Sequence, residues 1–172
     1  MNLFTGEAAD ELFGGEPPAT VRPLLAQAQQ APREEIPPLL WAAQASAPQA
    51  LSVYYLLYKC HAGRREFALA EKAARLGLAE AARQAGLPGD WRTVAPGASD
   101  FAGTGPQRFW LFTLKALAFI AVRSGRPDEA RALLDQIARL DPQASVGGEV
   151  IASLLASVDG NGDAGGAGGT RA

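Results

Sequence analysis

The chain has 172 residues but only one cysteine, one histidine and one methionine. Each shortage removes a class of chemistry. A lone Cys60 allows no internal disulfide, which fits a reducing compartment. One His and one Cys cannot supply the three or four ligands of a structural or catalytic metal site, so no metal is expected. The two are neighbours, Cys60 and His61. Adjacent helical side chains point about 100° apart and do not meet as a nucleophile–base pair. His61 falls on a packed stripe and reads as a satisfied core histidine. Charge of one sign is scarce too. A net charge of −2 argues against a broad basic surface for nucleic acid. No run approaches the roughly 20 apolar residues of a membrane span. The first residues have neither a basic start nor a long apolar core, so no signal peptide is expected and the cytoplasm is the default location. Phosphate loops are missing: Gly103-Thr104-Gly105 runs into Pro106 and lacks the Lys and the preceding strand. Glu34-Glu35 and Asp128-Glu129 are first-turn acids that complement a positive helix end. No catalytic residue and no cofactor is expected, and the chain reads as a non-enzyme.

What is present is ordinary for one soluble globular domain, with 48% hydrophobic and 20% charged residues. The clearest pattern lies at Trp110–Gln143. A helix is expected from about Arg108 to Val122, with Trp110, Leu111, Leu114, Leu117, Ala118 and Ala121 on one face and Phe112, Phe119 and Val122 partly outside it. Gly125 suits the left-handed residue that ends it. A second helix opens at Arg126-Pro127-Asp128-Glu129, buries Ala130, Leu133, Leu134, Ile137 and Leu140, and stops at Asp141-Pro142. Such a hairpin cannot cover its own apolar face and needs neighbours.

Earlier segments supply them. Thr20 is placed to cap a helix from Val21 to about Gln30, and a second helix follows from about Glu34 to Ser46. Leu51 to Ala62 forms the next helix, with Tyr54, Leu57, Tyr58 and His61 on one stripe and Gly63-Arg64-Arg65 as its turn. Its partner runs from about Glu66 to Ala85 and ends at Gly86. Residues 86–107 are a long connection in which Trp91, Val94 and Phe101 pin the loop to the body. A short helix from about Glu149 to Val158, with Ile151, Leu154, Leu155 and Val158 on its face, covers the far end. The expected organisation is an acidic flexible arm (1–18), a helical domain (19–158) and a disordered Gly-rich tail (159–172).

The pattern at Trp110–Gln143 resembles the tetratricopeptide repeat, a helix–turn–helix unit of about 34 residues. Ala118 after Leu117, Gly125, Ala130, Leu134 and Pro142 carry the match. Leu114, Ala121 and Ile137 depart from the family, which often has Trp, an aromatic and Ala there. The resemblance implies an all-α fold, a short TPR-like solenoid of about three helical hairpins plus a C-terminal capping helix. It also implies a concave groove lined by the first helix of each hairpin. The matching positions are Gln27, Tyr55, Lys59, Phe112, Lys115, Phe119 and Arg123, an aromatic floor with three cations. Cations on such a floor suit an acidic or carboxylate-ended peptide.

The arm has the complementary composition. It reads L-F-x-G-E twice, with Leu3 and Phe4 in one copy and Leu12 and Phe13 in the other. It either folds back over the groove, reaches into a neighbour's, or is a frayed terminus. A second resemblance spans roughly residues 35–155. Tyr54–Lys59 (YYLLYK), Gly86–Trp91 (GLPGDW), Arg108–Ile120 (RFWLFTLKALAFI) and Val146–Val150 (VGGEV) look like small repeat proteins of nitrogen-fixation gene clusters. The expected function is a protein-binding adaptor or assembly chaperone, accessory to nitrogen fixation, with a protein or peptide partner and no membrane or nucleic acid. One alternative is a self-associating structural protein, a homodimer. Another is an enzyme or small-molecule binder with a pocket under the Trp91 loop.

Overall fold

The computed structural model describes Phe13, residues 15–143 and residues 146–162. Among these the chain is all-helical, with seven α-helices and no strand: α1 Arg22–Gln30, α2 Ile36–Ser46, α3 Leu51–Gly63, α4 Phe67–Ala85, α5 Pro106–Arg123, α6 Pro127–Leu140 and α7 Glu149–Gly162. Each helix packs on the next in sequence from α1 to α7, except that the long connection separates α4 from α5 in the chain without separating them in space. In addition α3 touches α5, and α5 touches α7. That pattern is a stack of three helical hairpins closed by a last helix. The first helices of the second and third hairpins lie side by side in one layer.

Local chemistry explains the element boundaries. Pro lies in the first turn of α1, α2, α5 and α6, where its missing N–H leaves no bond unmade. Thr20 does not cap α1. The N-cap is Val21, which makes no side-chain cap bond but is fully buried. Here apolar burial of the entry residue outweighs a hydroxyl cap worth about 1 kcal/mol. α2 begins at Ile36 rather than Glu34, after a turn closed by Glu35 N–H on the Pro32 carbonyl at 2.9 Å.

The turns of the second and third hairpins share one hydrogen-bond plan. Glu66 N–H reaches the His61 carbonyl, and Arg126 N–H reaches the Ala121 carbonyl, each at 2.9 Å. Both need one left-handed residue. In the third hairpin it is Gly125, with φ 71°. In the second it is Arg65, with φ 63°, and not Gly63, which remains the last residue of α3. A side chain in this region costs about 1–2 kcal/mol, partly offset by the lower chain entropy of a non-glycine residue. Arg65→Gly is therefore expected to stabilise the protein by about 0.5–1 kcal/mol, read as a higher urea midpoint at unchanged slope.

α4 has 19 residues against 14 in α6 and ends at the left-handed Gly86. The connection that follows is tied down. Trp91, Val94 and Phe101 are buried. The buried Gln136 side chain of α6 donates to the carbonyls of Trp91 and Val94, both at 2.8 Å. The Phe101 ring lies 5.5 Å from that of Trp110.

At the far end, Ile151 and Leu155 of α7 are buried against the stack. Val158, expected on that face, is 45% exposed. α7 also runs past Val158 to Gly162, and Arg131 holds Asp159 at 2.6 Å. Leu3, Phe4, Leu12 and residues 163–172 lie outside the described residues. No described helix is long and apolar enough to cross a membrane.

Candidate functional site

The site grows out of how α3 and α5 meet. On α3 the stripe Tyr54, Leu57, Tyr58 and His61 is buried, which leaves Tyr55 half-buried and Lys59 exposed beside it. On α5 the buried face includes Phe109, Leu114, Leu117 and Ala121. Phe112, Lys115 and Phe119 are half-buried next to it, and Arg123 is exposed one turn on. These residues share an edge of α5 because positions three and four apart are neighbours on a helix.

Phe13 fills the space between the two helices. It is 5% exposed, with its ring centroid 5.3 Å from Tyr55, 5.2 Å from Phe109 and 5.5 Å from Phe112. It stands edge-on to Phe109 and Phe112, the arrangement that ring quadrupoles favour. Tyr58 completes the floor, 5.5 Å from Tyr55 and 6.5 Å from Phe109. Burial holds the Tyr58 phenol far above its ordinary range, so this floor carries no charge. Phe109 and Tyr58 are floor residues that the sequence reading missed as such. The signal was there in Phe109, one turn before Phe112.

The cations lie on the rings. Lys59 Nζ is 4.8 Å from the Tyr55 ring centre and donates to its hydroxyl at 3.1 Å. Lys115 Nζ and the Arg108 guanidinium sit 5.0 and 4.9 Å from the Phe112 ring. Arg123 lies 5.3 Å from Phe67 and 5.9 Å from Phe119. The groove residues therefore fall into two clusters along α5, one around Phe112 and one around Phe119. Gln27 joins neither: it is exposed on α1, with no hydrogen bond or ring contact to the clusters. The first hairpin contributes less than the resemblance implied.

Among the described residues no carboxylate pairs with Lys59, Lys115 or Arg123. The contrast with α4 and α6 is sharp. There Arg126 holds Glu71 at 2.6 Å and also Glu129, while Arg75 reaches Glu129 at 2.6 Å and Glu71 at 2.7 Å. Burial, and then the like charge of Arg108, push the Lys115 ammonium below its ordinary value. A carboxylate placed beside it would relieve both effects.

The Glu71 cluster makes a separate expectation about acid. Burial opposes ionisation of Glu71, but hydrogen bonds from Arg126 and Arg75, with their charges, outweigh it and hold its carboxyl below the usual value. Hydrogen bonds from His61 and Arg64 lower Glu66 as well. Near the ordinary carboxylate value the unfolded chain thus binds more protons than the folded one. Stability is full above that value and is lost as pH falls toward the folded one. The thermal midpoint is expected to stay level from about pH 7 to about pH 5 and then drop, with a shallower drop in Glu71→Gln.

His61 and Cys60 are wired for structure. The Trp41 indole N–H donates to His61 Nε2 at 3.0 Å, which leaves Nδ1 to donate to Glu66 at 2.6 Å. With both ring nitrogens engaged, no basic nitrogen faces a substrate. Cys60 is buried, and burial pushes its thiol up, away from the reactive thiolate. Among the described residues no three His, Cys, Asp or Glu side chains group as a metal site.

No family model matches the chain, and no solved structure matches it. It is similar to an uncharacterized 19.8 kDa protein in the nifW 5' region of Azotobacter chroococcum mcd 1, with 29% identity over 160 residues, covering 91% of this chain and 89% of that protein.

Proposed function

We propose that the protein is a non-enzymatic adaptor or assembly chaperone that holds a segment of a partner protein across α3 and α5, in an accessory role in nitrogen fixation. The observation that carries the binding role is the Phe13 box: a side chain from outside the helical stack is seated on Tyr55, Phe109 and Phe112. A surface that takes one aromatic anchor from a segment outside the stack has the shape and chemistry to take another. Lys59 and Lys115 on its rim, without carboxylate partners among the described residues, favour an acidic segment. The Trp91 turn is closed on α6 by Gln136, which leaves the groove as the better-supported site. Similarity to a protein from a nif gene region supports the setting.

The test is genetic and structural together. Loss of the gene is expected to slow growth of its host on dinitrogen but not on ammonium. A folded Phe112→Ala/Lys115→Glu variant should fail to restore growth. Full restoration by that variant would contradict the groove as the working surface.

A further inference from the structure

The occupant of the box belongs to the chain itself. Past Phe13, Gly15 takes the left-handed φ of 101° and turns the backbone out of the box. Residues 15–18 then pass over a cleft of about 180 Å³ bordered by Gln49, Leu51, Ser52 and Gln84. Among the described residues, Val21 N–H and Arg22 Nε donate to the Pro18 and Pro17 carbonyls, each at 3.0 Å, and Arg22 also meets Glu16 in an ion pair at 2.9 Å, with side chains 57% and 77% exposed. Such a pair adds little. Among residues 13 and 15–18, Phe13 is the buried side chain, and that anchor can be exchanged for an equivalent one.

The sequence says what an equivalent looks like. Phe13 follows Leu12 and is flanked by Asp10, Glu11 and Glu16, and the Leu-Phe-x-Gly-Glu pattern occurs a second time at Leu3–Glu7. Aromatic and carboxylate together match a box of neutral rings edged by Lys59, Lys115 and Arg108.

We infer that the external ligand of the box is a protein segment with a phenylalanine flanked by carboxylates, and that it binds by displacing Phe13, which acts as a built-in competitor. This rests on the groove reading above and adds to it the partner's motif and a threshold for binding. A competitor in the same chain lowers apparent affinity by the fraction of molecules in which the box is free. Burial of one Phe side chain sets that factor at roughly tenfold to a hundredfold.

The experiment uses the full-length chain and a labelled peptide of its own residues 9–18, ADELFGGEPP, followed by fluorescence anisotropy. Phe13→Ala is expected to bind the peptide roughly tenfold to a hundredfold more tightly than the unaltered chain. The same peptide with alanine for its phenylalanine should not bind. Equal affinity of both proteins, lost in Phe112→Ala, would overturn the competitor and leave the groove reading standing. No binding by a folded Phe13→Ala protein would overturn both. Should Phe13→Ala not fold, hydrogen exchange on the unaltered chain decides. Saturating peptide is expected to speed exchange at residues 15–22, and unchanged exchange overturns the displacement.

Discussion

Gly77→Ala is expected to destabilise the protein by about 1–3 kcal/mol, and Gly77→Leu by more. Helix propensity alone points the other way, since alanine in a helix interior is better than glycine by about 1 kcal/mol. The space decides against it. A Cβ on Gly77 would stand 2.7 Å from Tyr54 Cβ, 3.0 Å from Tyr54 Cγ and 3.1 Å from Phe109 Cζ. Tyr54 Cβ is fixed to the α3 backbone and cannot swing aside. Its ring is held at the other end, where the hydroxyl donates to the Pro48 carbonyl at 2.6 Å and accepts from Gln44 at 3.2 Å. α3 and α4 must therefore separate, and Phe109 must shift with them. Because Phe109 is the floor of the Phe13 box, peptide binding should weaken in a Gly77→Ala protein that still folds. Urea unfolding measures the first effect; a midpoint that rises would show that α3 and α4 do not approach this closely.

His61→Ala is expected to cost about 2–4 kcal/mol. The ring is 2% exposed, so its removal leaves a cavity. It also leaves the Trp41 indole N–H and the Glu66 carboxylate without their shared partner. His61→Asn can replace one bond but not both across that span, and should recover only part of the loss. Trp41 fluorescence should change along with the denaturation midpoint. Peptide affinity should hold in any folded His61 variant, because the residue lies on the packed stripe and outside the Phe13 box. A large loss of affinity without loss of stability would place His61 in the functional site instead.

The helices were legible because their signals are strong and local. The apolar periods of α5 and α6, the turn at Gly125 and the stop at Asp141-Pro142 lie in one continuous stretch. The burial of Trp91, Val94 and Phe101 was legible too, since three large apolar residues in a polar loop have few other uses. Arg65 was not, because glycine is the usual mark of a left-handed turn and Gly63 stood two residues away. Nor was the missing Thr20 cap, where burial of Val21 decides the start of α1. Of the rings around Phe13, Tyr55 and Phe112 are among the positions the repeat resemblance singled out. Phe109 was hidden because its position reads as core, and it is both core and floor. The separation of Gln27 from the clusters depends on how the first hairpin sits on the second, a long-range packing outcome that local patterns do not encode.

The central claim is that a segment outside the helical stack seats its phenylalanine between α3 and α5. A photo-crosslinking residue, p-benzoylphenylalanine, placed at position 13 in the full-length chain tests this directly. After irradiation and digestion, mass spectrometry is expected to find position 13 joined, within one chain, to the peptides carrying Tyr55–Tyr58 and Phe109–Phe112. Crosslinks confined to other helices, or none within the chain, would contradict it.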